Sequence, residues 1–259
     1  RGSIANELVT DLNEGGSRIT LEDLHNYIPL ESEPLRGKHR GHDLYTPGVT
    51  SGGQRLNEAL EYVEENLNYS DPFGANTYIA YAKGLNKAFK RHKEKLGRTI
   101  NYGCTSHMST VDSEGNMVSL TYTLLNRFGS KVVLPRTGVL MNNSVSYFDP
   151  RPGYPTSMAG EKRINSSNMC PTICVKDGEA KFSVGASGAN HIVPCTMQLT
   201  AFLIDYGLSL EDAFNLPRID VNETDLITVD PILGEETINQ LGRHFKINVA
   251  QNLVFPKLY

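Results

Sequence analysis

Thr105, in Cys104-Thr105-Ser106-His107, heads an alternating segment and is the residue best placed to do chemistry. If the Cys104–Thr105 bond were cut, the new α-amino group would lie within reach of the Thr105 hydroxyl. One residue would then supply both nucleophile and base for acyl transfer from an amide. The segment alternates to residue 111, turns over 112–116 with Gly115 and Asn116, and alternates again over 117–124, which predicts a β-hairpin. Residues equidistant from a turn centred near Glu114 face one another, so Thr123 is expected opposite Thr105 on the same face. A hydroxyl there can hold the Thr105 rotamer and help move a proton. A purely structural threonine pair would leave the same signature.

Three further groups bear on such a reaction. Gly185-Ala186-Ser187-Gly188-Ala189-Asn190 joins a strand to an apolar helix, and amides at a helix start point outward as an oxyanion requires. The pattern also fits a tight connection, and it gains meaning only if it faces Thr105. Ser166, Ser167 and Asn168 could donate hydrogen bonds to a substrate carboxylate, although turn residues of these types are also commonly solvated. Asn142-Asn143 reads as a left-handed turn rather than a loop clamp, and His107 as a core histidine with satisfied ring nitrogens. Gly52-Gly53 lacks the lysine of a phosphate-binding loop.

Helices and strands must position these residues. Helical spacing is expected over 4–12, after a Thr20 capping box, over 51–66, and over 73–96 with a basic polar face from Lys83 to Lys95. A ribbon is expected over 30–45 and a second hairpin over 171–185. Helices over 191–206, from Ser209, and over 235–244 alternate with extended segments at 226–229 and 246–254. Helices, strands and helices again suggest a layered α+β sandwich rather than a βαβ parallel sheet. The irregular stretch over 141–165 reads as a site loop.

The 259 residues, 39% hydrophobic and 21% charged, suffice for a well-buried core. A net charge of −4 with dispersed basic residues argues against a nucleic-acid partner. Four cysteines and seven histidines show no metal-ligand spacing, so neither a metal nor a disulfide framework is expected. No apolar run is long enough to span a membrane. The Arg1-Gly2-Ser3 start and the end just after an apolar strand lead us to expect a longer protein. Its missing part would decide between a cytoplasmic and a secreted or periplasmic location.

In order and in motif the chain resembles the γ-glutamyltransferase family of N-terminal-nucleophile hydrolases. The resemblance rests on 105–123, Phe128-Gly129, 138–143, Cys170-Pro171-Thr172-Ile173, 185–189, Asp205-Tyr206-Gly207 and Pro217-Arg218. It implies an α+β fold, the four-layer αββα sandwich of that class, with 1–104 as the end of a large-subunit region and 105–259 as the small-subunit region. It makes Thr105 the nucleophile freed by self-cleavage, Thr123 its partner, and Gly188 and Ala189 the oxyanion-hole positions. The family's carboxylate-binding serine pair falls on Ser166-Ser167 or on Ser167-Asn168, depending on the flanking motif used for alignment. The implied partners are a small-molecule amide or peptide substrate and the protein's own N-terminal portion; a homodimer of processed heterodimers is left open. No cofactor is implied. Leu125, Ser144 and Tyr147 replace groups that hold the α-ammonium of a γ-glutamyl donor, so altered substrate specificity is expected, and two alternatives stay open: an amidohydrolase or acylase for a different small amide, and an unprocessed, inactive binding homologue.

Overall fold

The computed structural model describes residues 2–48, 50–70, 73–97, 103–157, 167–221 and 225–250. Helices α1 (Ser3–Glu14) and α2 (Leu21–Asn26) precede a ribbon of β1 (Leu35–His39) and β2 (His42–Thr46). Next come α3 (Gly53–Asn66), α4 (Ala75–Leu96), and two hairpins, β3 (Thr105–Val111) with β4 (Met117–Thr123) and β5 (Thr172–Lys176) with β6 (Glu179–Val184). The C-terminal part holds α5 (Ile192–Asp205), α6 (Leu210–Asn215), β7 (Ile219–Val221), β8 (Leu226–Val229), α7 (Glu235–Gly242) and β9 (Lys246–Val249).

Local chemistry sets several of these boundaries. The Thr20 hydroxyl accepts the Asp23 amide at 3.1 Å and the Asp23 carboxylate accepts the Thr20 amide at 2.7 Å, which closes the capping box of α2. Ser209 caps α6 by accepting the Asp212 amide. On α4 the buried stripe Tyr78, Tyr81, Leu85 and Phe89 recurs at helical spacing, while Lys83, Lys87, Lys90 and Lys93 are exposed.

Strands β1, β2, β5 and β6 form one antiparallel sheet in that order. On one face Leu44, Cys174 and Val184 join Leu56, Leu60 and Val63 of α3, Leu85 and Phe89 of α4, and Val193 and Met197 of α5 in a single core. The β3–β4 hairpin lies on the other side of the sheet, where Ser109 and Ser183 hydroxyls meet at 2.9 Å. Helices, sheet and hairpin are therefore consecutive layers of an α+β sandwich. Asp205, in the last turn of α5, holds the buried His39 Nε2 at 2.7 Å and ties this helix to β1. No disulfide joins the four cysteines; burial pushes the Cys170 and Cys195 thiols up to about 12, whereas Cys104 is exposed. Among the described residues no helix is long and apolar enough to cross a membrane.

The layered sandwich holds, with one local addition, and two expectations are corrected. A βαβ unit does occur: β8 and β9 are parallel, with Leu226 opposite Lys246, and α7 makes the crossover. Both strands and the helix between them are expected from the pattern; the parallel direction of their pairing is not, because it depends on how α7 packs rather than on local periodicity. The first ribbon begins at Leu35 rather than at residue 30, since the polar Glu31-Ser32-Glu33-Pro34 stretch offers no face to bury. Asn142-Asn143 is a clamp and not a left-handed turn: Asn143 Oδ1 accepts the Asn126 amide at 2.9 Å and its own amide donates to the Leu124 carbonyl. Of the expected strand at 246–254, residues 251–254 lie outside the described residues.

Candidate active site

The β3–β4 register pairs Thr105 with Thr123, as hairpin geometry requires. Thr105 is buried at the strand head and its Oγ1 donates to Thr123 Oγ1 across 3.3 Å. The Thr123 hydroxyl donates to the Cys104 carbonyl at 3.0 Å and accepts the Leu125 amide at 2.9 Å. The Thr105 hydroxyl, the Cys104 carbonyl and the Leu125 amide thus surround this hydroxyl, with the Tyr147 phenol as a further partner. The Thr123 hydroxyl points at the carbonyl of the Cys104–Thr105 bond. The Cys104 amide donates to the Leu125 carbonyl, holding the bond from its other side.

Below the threonines the inner face of the hairpin is polar. His107 Nδ1 meets Thr121 Oγ1 at 2.7 Å and Nε2 meets Ser109 Oγ at 3.1 Å, so the ring is satisfied as a core histidine. Burial lowers its pKa and favours the neutral ring. Gly185 packs directly on that ring, and any side chain there would collide with it. This close approach brings the turn after β6 against β3. A Cβ on Gly103 would lie 3.3 Å from the Ala189 methyl, so Ala189 sits beside the segment that enters Thr105.

Gly188 is left-handed (φ 115°, ψ 39°), Ala189 has φ 53°, and a short 3₁₀ turn over Ala189–His191 leads into α5. The apolar α5 directs the positive end of its dipole at this turn. His191 Nδ1 lies 2.7 Å from Asp220 Oδ2 of β7, and that hydrogen bond raises the histidine pKa against the opposing effect of burial. On the family's pattern the position would serve through its backbone N–H, which glycine also carries. Relief of about 1–2 kcal/mol of left-handed strain is offset by the lost methyl burial and by the greater unfolded-state freedom of glycine. Ala189→Gly is expected to shift stability by less than about 1 kcal/mol in urea denaturation and to change turnover less than about threefold.

Ser166 lies outside the described residues. Ser167 is buried, its hydroxyl accepts the Met169 amide at 3.1 Å, and it lines a cavity of about 680 Å³ with Tyr45, Thr50, Ser119 and Ile173. The hydroxyl keeps its own proton to donate. Asn168 is turned elsewhere: its Oδ1 accepts from Arg55 Nη1 at 2.6 Å and its Nδ2 donates to Asn190 Oδ1 at 2.6 Å. Pattern reading missed Arg55. Its only signal was a charge four and eight residues before Ala59 and Val63, on the buried stripe of α3.

Leu125 and Tyr147 are buried together beside the threonine pair and form a small apolar cluster of their own. Burial raises the Tyr147 pKa, and a hydrogen bond with Thr123 opposes that rise. Among the described residues no group of histidines, cysteines and carboxylates could hold a metal ion.

A threonine pair at a hairpin head, faced by a helix-start turn across a layered sheet, defines the N-terminal-nucleophile hydrolase class of fold. Cephalosporin acylase from Bacillus halodurans superposes with a TM-score of 0.89 at 23% identity, over 100% of this chain and 54% of that one. The family model described as gamma-glutamyltranspeptidase matches residues 1–97 and 77–253, and the chain belongs to that family. It is 31% identical to the glutathione hydrolase proenzyme of Escherichia coli (strain K12), over 84% of this chain and 47% of that protein. It is 29% identical to the Acylase ACY 1 proenzyme of Pseudomonas sp. (strain V22), over 84% and 46% of the respective chains. The chain thus spans about half the length of the curated relatives it matches.

Proposed function

We propose that this chain is the catalytic part of a self-cleaving amide hydrolase and acyltransferase with Thr105 as its nucleophile. The observation that carries the reading is the directed hydrogen-bond path from Thr105 Oγ1 through Thr123 Oγ1 to the Cys104 carbonyl. In the uncut chain Thr105 Oγ1 attacks the Cys104 carbonyl carbon, the Cys104–Thr105 C–N bond breaks, and the nitrogen takes up a proton. Water then hydrolyses the resulting ester, leaving a Cys104 carboxylate and a free Thr105 amine. That amine deprotonates Oγ1 for attack on a substrate amide, the amine product leaves, and water or an acceptor amine releases the acyl group. The Gly188 and Ala189 amides receive the oxyanion, and Ser167, with Ser166 as the other candidate, forms the carboxylate end of the pocket, while the Asn168 side chain is engaged with Arg55 and Asn190. Residues 1–104 and 105–259 become the large-subunit end and the small-subunit region, interleaved in one domain.

The substrate follows from the neighbours of the nucleophile. On the family's pattern Leu125 and Tyr147 stand where an α-ammonium would find its acceptors; the two are buried together, and an unpaired buried ammonium costs several kcal/mol, on the order of a 100-fold or greater loss of binding. Both glutathione hydrolases and an acylase are among the relatives, and the cluster favours an acyl donor that keeps a distal carboxylate and lacks the ammonium. Glutaryl-p-nitroanilide is expected to exceed γ-glutamyl-p-nitroanilide in kcat/KM by at least tenfold. A preference for the γ-glutamyl compound would defeat the substrate assignment. Intact mass of the purified full-length protein tests scission itself, with two fragments meeting at Thr105 as the expected result and a single uncut chain as the contrary one.

A further inference from the structure

Helix α3 enters the fold through an unusually close approach. A Cβ on Gly52 would lie 2.7 Å from the Asn168 carbonyl and 2.8 Å from both the Cys170 and the Val193 side chains. The Gly52 amide donates to the Met169 carbonyl at 2.9 Å, and the Ser167 amide to the Thr50 carbonyl at 2.8 Å. The first turn of α3 is thereby pressed against the segment 167–169 that leads into β5, with α5 behind it.

Arg55, one turn inside, is fully buried. Its Nη1 reaches Asn168 Oδ1 at 2.6 Å, its Nη2 reaches the Ser167 carbonyl at 2.7 Å, and its guanidinium lies 5.2 Å from the centre of the Phe89 ring. Asn168 passes the contact on, its Nδ2 donating to Asn190 Oδ1 at 2.6 Å. Asn190 is the middle residue of the turn Ala189–His191. The three side chains are buried, so each bond is made at low dielectric. The surroundings are built to keep the arginine as the local charge: His92 is held neutral, its pKa lowered to about 3 by burial and by Arg55 itself.

We propose that Arg55 is a positioning residue of the active site, whose guanidinium sets the Ser167 carboxylate loop directly and the Gly188–Ala189 oxyanion turn through the relay Asn168–Asn190. The catalytic consequence rests on the function proposed above. The structural coupling does not. In this arrangement Asn168 serves the site by carrying the relay, and the substrate contact is left to its neighbour Ser167.

Asn168→Asp separates this role from simple stability, because a carboxylate keeps and strengthens the contact to Arg55 but has no N–H for Asn190 Oδ1. In the full-length protein, Asn168→Asp and Arg55→Lys are expected to lower kcat tenfold or more while KM for the donor changes less than threefold in Asn168→Asp. Affinity for a boronate that forms a tetrahedral adduct on Thr105 should fall in parallel with kcat. Combining Arg55→Lys with Asn190→Ala should add less than threefold to the loss caused by either alone. Hydrogen exchange read on peptides covering 185–191 should rise at least fivefold in both single variants, with the C-terminal half of α3 unchanged. That measurement needs no turnover, so it decides the coupling even if no amide proves to be a substrate, an outcome that would count against the proposed function alone. Wild-type exchange at 185–191 in Asn168→Asp would overturn the relay, as would fully multiplicative losses in the double variant.

Discussion

Thr105→Ala is expected to give one unbroken chain on denaturing electrophoresis and turnover reduced about 10⁴-fold or more, to the level of background. The size of the effect follows from the number of roles this residue holds. Its Oγ1 is the attacking atom in scission and in acyl transfer, and its nitrogen becomes both the leaving group of the first reaction and the base of the second. Removing Oγ1 also removes the donor to Thr123. The fold has little reason to suffer, since alanine fits a buried strand head at a cost of about 1 kcal/mol or less in β-propensity. Thr105→Ser keeps a hydroxyl and an amine and is expected to split, more slowly, because the serine rotamer is no longer restricted by a β-methyl. Both variants are checked by intact mass and by initial rates on the donor chosen above. An alanine variant that still splits between residues 104 and 105 would end the assignment of Thr105.

Which of these features could be read in advance depended on how far apart in the chain the partners lie. The threonine pair spans one hairpin, and a two-residue period with a Gly-Asn turn fixes its register by counting. The cap of α2 and the basic face of α4 are likewise local, set within three or four residues. The turn at Gly188 could be named from its small residues, but not aimed; only the packing of Gly185 on His107 shows that it faces β3. Arg55 and Asn168 are 113 residues apart, and no periodicity links them. The resemblance to the family supplied the order of motifs and the role of Thr105. It said nothing of Arg55, because the relay is a property of how α3 docks and belongs to no contiguous motif. The segments of β8, α7 and β9 were each legible, but the parallel pairing of β8 with β9 was not, because strand direction and partner depend on how α7 docks and on no local pattern.

Thr123→Val is expected to slow scission by about 100- to 1,000-fold, the cost of removing one preorganised donor from a developing oxyanion. Valine keeps the shape and β-branching of threonine, so β4 and its register should survive. What it removes is a hydroxyl that three groups at the Cys104–Thr105 bond share with Tyr147. The Cys104 carbonyl loses its donor, Thr105 Oγ1 loses the acceptor that orients its proton, and the Leu125 amide loses the oxygen that pins the chain after β4. The first two losses act on the reaction and the third on stability, where an unpaired, partly buried amide costs about 1 kcal/mol. The uncut fraction followed over time by electrophoresis reads the first two; urea denaturation reads the third. In protein already cut, the Cys104 carbonyl is a carboxylate that no longer needs polarising, so the steady-state defect of Thr123→Val should be smaller than the defect in scission. Thr123→Ser restores all three bonds in principle and should recover most of the scission rate. A valine variant that matures as fast as wild type would show that the hydroxyl aligned on the Cys104 carbonyl is a structural pair and no part of the chemistry.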